Sequence, residues 1–215
     1  MGKNDKIRRA YIDYQLTVGH RPPSVYAFAK KLKITEANFY ESYNSFAALE
    51  KDIWRGFMED TLGRLQQDEV YQTYTVREKL LAFYYTFVEV LKENRSYILN
   101  RMAPARSMPE VNAELAYLHD DFRTYAKELV REGEETGEVA QRPYLTDRYG
   151  DGLWYQLLFV LRFWRNDESA GFEKTDAAIE KAVHLSFDLI GRNTIDSAFD
   201  FARFIFQNRR TVSQP

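Results

Sequence analysis

An all-α fold is what the sequence predicts, on three observations. Glycine and proline together supply 16 of 215 residues, too few turn formers for a chain of many short strands, since average usage is about 12%. Apolar residues recur three and four positions apart over long windows, which is the spacing of one helix face. The edges of those windows carry helix-start and helix-stop residues. With 45% hydrophobic residues the chain can build a core, and 15 Tyr, 15 Phe and 3 Trp give that core bulk. Cysteine is absent, which excludes disulfides, thiolate metal sites and a cysteine nucleophile.

The first helix is expected over 4–17, with Ile7, Tyr11, Tyr14 and Val18 on one face and Gly19 as its stop. His20-Arg21-Pro22-Pro23 is a turn, because each proline disfavours helix in the residue before it. Ser24 caps a short helix over 25–32, and Thr35 caps another over 36–41, with Glu36 in its favourable first turn. Ser45 caps a long helix over 46–67. Further helices are expected over 75–93, 95–102, 110–135 and 144–165. Thr175 is expected to cap a helix over 176–190, and Thr194 a last one through Gln207.

Charge is unevenly spread. Residues 1–46 hold eight Lys/Arg against four Asp/Glu, net +4, while the remainder holds 22 against 28, net −6. A basic head on an acidic body is the footprint of an N-terminal polyanion-binding module.

Helix, tight turn, short helix, break and long helix is also helix-turn-helix spacing. Ser24-Val25 with Phe28-Ala29, then Ile34-Thr35 with Phe39-Tyr40 and Tyr43, then Asn44-Ser45 with Leu49, follow Gly19 in an order that resembles the DNA-binding head of TetR-family regulators. The resemblance implies a three-helix DNA-binding head over residues 1–46 and a helical ligand-binding and dimerisation domain over 47–215. It implies a double-stranded palindromic operator as partner, a homodimer, and release by a small apolar or aromatic effector. Ser24, Lys33, Thr35, Glu36, Ala37, Asn38, Tyr40 and Asn44 would form the DNA face, with Arg8 and Arg21 on the backbone. Asn38 is suited to adenine and Glu36 to cytosine. The head departs from the family pattern: Lys33 stands where a turn glycine is usual, Thr35-Glu36-Ala37 opens the recognition helix, and Asn44 replaces a phosphate-contacting lysine.

Within the body, Phe83, Tyr84, Phe87, Tyr117, Phe122, Tyr125, Trp154, Tyr155 and Phe159 fall on helices that, in proteins of this family, enclose an effector. A chamber edged by tyrosines suits an amphipathic or aromatic ligand. The helix at 144–165 is apolar nearly all round, so it must be covered on most sides. By the same resemblance it pairs with 176–190 and their copies across a two-fold axis, with Leu157, Leu161, Trp164, Ile179, Val183 and Phe187 at the interface.

No phosphate loop, paired-histidine motif or nucleophile elbow is present, so no catalytic residue, cofactor or metal is expected. His119-Asp120-Asp121 reads as a solvated helix face, and His184 as a surface contact of Asp188. No signal peptide opens the chain, and the longest apolar stretch, from Leu153 to Leu161, is too short for a membrane span. A cytoplasmic protein without integral membrane association is therefore expected. A fainter alternative rests on Trp164 to Ser169 followed by Thr175-Asp176, which resembles the TetR-fold lipid-binding accessory protein of ubiquinone biosynthesis. It implies lipid or isoprenoid binding without DNA recognition.

Overall fold

The computed structural model describes residues 2–102, 112–142 and 145–191. The helices are α1 (Lys3–Val18), α2 (Val25–Lys31), α3 (Glu36–Tyr40), α4 (Phe46–Gln67), α5 (Val76–Glu93), α6 (Arg95–Arg101), α7 (Ala116–Thr136), α8 (Thr146–Arg165) and α9 (Glu173–Ile190). Among the described residues there is no strand. The expected last helix from Thr194 lies outside them, as do Pro104 and Pro109. The residues divide into two compact units, Met1–Glu69 with Thr86–Phe122, and Val70–Tyr85 with Arg123–Pro215.

In the first unit, the start signals act as the residue types predict. Ser24, Thr35 and Ser45 each accept a hydrogen bond from the backbone N–H three residues on. Gly19 ends α1 in a left-handed conformation with φ 83°, its N–H bonded to the Gln15 carbonyl. These helices are too short to stand alone, and an aromatic centre holds them together. Phe28 is fully buried and packs edge-on against Tyr11 at 5.7 Å, Phe39 at 6.1 Å and Phe46 at 5.6 Å. One ring from α2 thus touches α1, α3 and the first residue of α4.

The second unit is built on α8 and α9. Leu157, Val160, Leu161 and Trp164 of α8 and Ile179 and Val183 of α9 are all buried. The start of α9 corrects the sequence expectation. The helix begins at Glu173 rather than Asp176, and Thr175 is not its cap but a donor: its N–H and hydroxyl both reach Asp167 Oδ2, at 2.9 and 2.6 Å. Asp167 Oδ1 accepts from the Ser169 N–H and hydroxyl. Arg142 closes the other end, donating to the Leu189 and Gly191 carbonyls at 2.9 and 2.7 Å, where helix acceptors lack internal partners. Gly133 is required by contact: a Cβ there would stand 2.4 Å from Val139 Cγ2.

Candidate functional site

The α2–turn–α3 segment carries the helix-turn-helix geometry. Its turn contains Lys33 at φ 58°, in the left-handed region, a position that strains a non-glycine residue by ~1–2 kcal/mol. The Ile34 N–H bonds back to the Ala29 carbonyl and the Lys33 N–H to that of Lys30, so the turn is tight and fully closed. From it α3 projects with Phe39 buried beneath, while Lys33, Thr35, Ala37 and Tyr40 stand on the surface, Tyr40 at 52% exposure. Asn44, also exposed, accepts from the Ser45 hydroxyl.

Two expected base readers are modified by their neighbours. Asn38 Oδ1 accepts from the Thr35 N–H and hydroxyl, at 3.3 and 2.8 Å, completing a reciprocal cap rather than projecting outward. Glu36 is half-buried in the first turn. Glu41, the second acid of this helix, pairs with Lys3 of α1, and that contact holds its carboxyl below the ordinary range. The acidic character of α3 is therefore partly neutralised by a residue 38 positions away.

Of the two arginines expected on the DNA backbone, Arg8 turns inward. Arg8 lies between Asp5, Asp52 and Glu59, at 2.5, 3.6 and 3.1 Å, with its side chain 15% exposed. Burial disfavours its charge, but these carboxylates hold it protonated above the usual guanidinium range. Arg21 lies bidentate on Glu50. Both guanidiniums are paired within the chain, Arg8 in the interior and Arg21 with its side chain half exposed. Asp52, Glu59 and Glu50 are partners from α4, 29 or more residues away, whereas Asp5 is a neighbour on α1. Lys31 lies over the Tyr14 ring, 4.5 Å from its centroid, and Lys30 and Lys33 remain exposed beside the turn.

The nine aromatic residues expected around one chamber are divided between the two units. In the second unit, Phe83, Tyr84 and Tyr125 cluster: the Phe83 and Tyr125 rings stack at 4.8 Å, and the Tyr84 hydroxyl donates to the Leu153 carbonyl. Tyr125 is joined by Tyr71 through their hydroxyls, 3.2 Å apart, and its own hydroxyl donates to the Lys79 carbonyl. Burial pushes the Tyr84 and Tyr125 phenols well above the usual tyrosine value, so both remain neutral donors. Trp154 is half-buried in the same unit. Phe87 and Phe122 are fully buried core of the first unit. Tyr117, also of the first unit, lies under the Arg55 guanidinium at 4.4 Å and borders a polar crevice of about 430 Å³ with Tyr40 and Asn44.

Tyr155 and Phe159 are not chamber walls but surface, at 70% and 49% exposure. With Leu185 at 58% and Leu189 at 46% they form an apolar face along α8 and α9. A groove of about 740 Å³ runs along it, floored by Ala178, Ala182 and Ser186. The residues expected at an interface point the other way. Leu157, Leu161, Trp164, Ile179 and Val183 are each at most 1% exposed within a single chain, and only Phe187 remains half-buried. A helix apolar on most sides has two stripes, and its periodicity does not say which one the chain covers for itself.

The expected surface contact of His184 is present, 3.4 Å from Asp188, and His119 lies 3.1 Å from its neighbour Asp120. Asp121 pairs instead with Arg55 at 2.8 Å. Among the described residues no three His, Asp or Glu converge as a metal site, and none of the described helices is long and apolar enough to cross a membrane.

Residues 79–205 match the family model of the tetracyclin repressor-like C-terminal domain. None of the curated proteins compared matches the chain. Among solved structures, a TetR-family transcriptional regulator from Syntrophomonas wolfei aligns with a TM-score of 0.64 at 15% identity, over 86% of this chain and 93% of that one. A TetR-family transcription regulator from Shewanella sp. PV-4 aligns with a TM-score of 0.57 at 14% identity, over 90% and 100%. At those identities the likeness is one of fold.

Proposed function

The chain belongs to the TetR family, and from that premise we propose that it is a DNA-binding transcriptional regulator, most simply a repressor, acting as a homodimer on a palindromic operator. The observation that carries this reading is the closed α2–turn–α3 unit, which presents Lys33, Thr35, Ala37 and Tyr40 from a rigid aromatic base. Thr35 and Ala37 offer methyl groups suited to thymine, and exposed Lys30 and Lys33 suit phosphate. Arg8 is held internally, while Lys6, Arg9, Lys30 and Lys33 stay exposed, so phosphate contacts and a salt-dependent affinity follow.

The dimer reading rests on the α8–α9 face. Protruding Tyr155 and Phe159 beside a floor of Ala178, Ala182 and Ser186 give one surface both a ridge and a trough. A two-fold axis sets the ridge of each copy into the trough of the other. The Phe83–Tyr84–Tyr125 cluster supports a small apolar or aromatic effector with a hydrogen-bonding edge. If the chain is a monomer, the same groove favours the second reading, a bound lipid or isoprenoid chain.

The test is selection from a randomised DNA pool, followed by mobility shifts on the enriched site. A specific complex is expected that weakens as salt rises and weakens tenfold or more in Tyr40→Ala. The absence of enrichment over the starting pool, with lipid copurifying in native mass spectra, would replace this reading with the second.

A further inference from the structure

Several segments of the first unit meet at two buried carboxylates. Glu50 of α4 is 3% exposed, and Glu114, just before α7, is 6% exposed. Arg101, the last residue of α6, stands between them. Its Nη2 lies 3.0 Å from Glu50 Oε2 and 2.7 Å from Glu114 Oε2, and its Nε donates to Glu114 Oε1 at 3.0 Å. Glu50 also accepts from the Tyr11 hydroxyl of α1 at 2.5 Å and from Arg21, in the turn before α2, at 3.2 and 2.5 Å. Glu114 accepts from the Trp54 indole N–H at 3.1 Å. Tyr97 of α6, fully buried, completes the surround.

Among the described residues the cluster holds two cations and two carboxylates, and the two cations differ. The Arg21 side chain is half-exposed, whereas that of Arg101 is interior at 13%. Burial opposes the Arg101 charge, yet Glu114 and Glu50 hold it protonated well above its ordinary range. A buried ion pair adds little net stability over an apolar replacement, but it has a defined geometry that apolar packing lacks.

We propose that Arg101 is the positioning residue of the helix-turn-helix head: its guanidinium, shared between Glu50 and Glu114, fixes α1 and α4 in one register on α6. Tyr11 carries that register to α1, and Arg21 carries it to the turn that leads into α2. The assignment rests on the head geometry, and only its consequence for operator affinity rests on the DNA-binding reading.

The test is native-state hydrogen exchange on the full chain, corrected for intrinsic rates. At about pH 8, Arg101→Gln removes the guanidinium that the two carboxylates share. Amides of α1 and of the first turns of α4 are then expected to exchange roughly a hundredfold faster than in the parent. Arg101→Lys recovers part of the protection, since an ammonium lacks the forked geometry. Arg101→Gln combined with Glu114→Gln recovers it at pH 8, and this double variant also serves if the single one does not fold. Unchanged protection in Arg101→Gln overturns the proposal, as does a loss unrelieved by Glu114→Gln. Exchange is read without DNA, so a head that binds no operator fails only in the mobility shift.

Discussion

The head and the α8–α9 hairpin use the same aromatic-rich composition in opposite ways. In the head, rings from α1, α2, α3 and α4 converge on Phe28, and charged groups follow them inward to Arg8, Glu50 and Asp52. Outside, a mixed patch surrounds Lys33 and Tyr40, and Leu16 and Tyr26 are exposed singly. In the hairpin, Trp164 and the leucines fill the interior, while Tyr155, Phe159, Leu185 and Leu189 spill outward as one continuous face. A patch of that kind marks an interaction surface, whereas scattered exposed apolar residues do not. Hydrophobic content alone therefore says little about a helix's task, and the side its second stripe faces says more.

The substitution with the largest expected effect separates these two uses. Phe159→Glu places one carboxylate from each copy in the proposed interface and should weaken self-association by ~3 kcal/mol or more, over a hundredfold. Phe159 is half-exposed within the chain, so the melting temperature of the isolated chain should move little. Sedimentation velocity reads the first effect and dilute thermal melts the second; an unchanged oligomer would break the comparison. Phe28→Ala is the reciprocal experiment. It removes the ring that joins four helices and should destabilise the first unit by ~3–5 kcal/mol, measured by urea titration, with no effect on self-association. A loss below ~1 kcal/mol would mean the aromatic centre is not what holds the head.

Smaller effects sharpen the picture. Burial raises the Asp167 pKa, but hydrogen bonds from Ser169 and Thr175 outweigh it, and the carboxyl lies below the ordinary aspartate range. A depressed folded-state pKa contributes stability above the unfolded value of about 3.9, lost as the pH falls below it. Asp167→Asn should therefore lower stability at neutral pH and flatten its decline below about pH 4. Parallel acid-titration curves of variant and parent would contradict this role. Smallest of all, Lys33→Gly relieves the left-handed turn and should stabilise the head by at most ~1 kcal/mol in thermal denaturation. A loss instead would show that the Lys33 side chain makes a compensating contact.

Much of the architecture was legible because its signals are local. Ser24, Thr35 and Ser45 cap through bonds that span three residues, Gly19 stops α1 through its own φ, and the α4 bounds match the sequence expectation at both ends. The candidate site was legible only where it depends on such bonds, at the α2–turn–α3 unit. The Glu50–Arg101–Glu114 cluster was missed, although Glu50 falls between Phe46 and Ile53 on the apolar face of α4, where a charge implies a buried partner. Its partner lies 51 positions along the chain at Arg101, beyond any local pattern.

The sequence by itself determined that the chain is helical, where the helices of the head begin and end, and which positions are apolar. It did so because capping and helix periodicity act within a few residues. Only the tertiary structure decided which apolar stripe the chain covers for itself and which cations are left for an outside partner. It turned Leu157 and Trp164 inward and Tyr155 and Phe159 outward, and it drew Arg8 and Arg21 into internal pairs. Those choices depend on groups brought together from distant positions, where burial penalises any apolar surface or charge left without a partner.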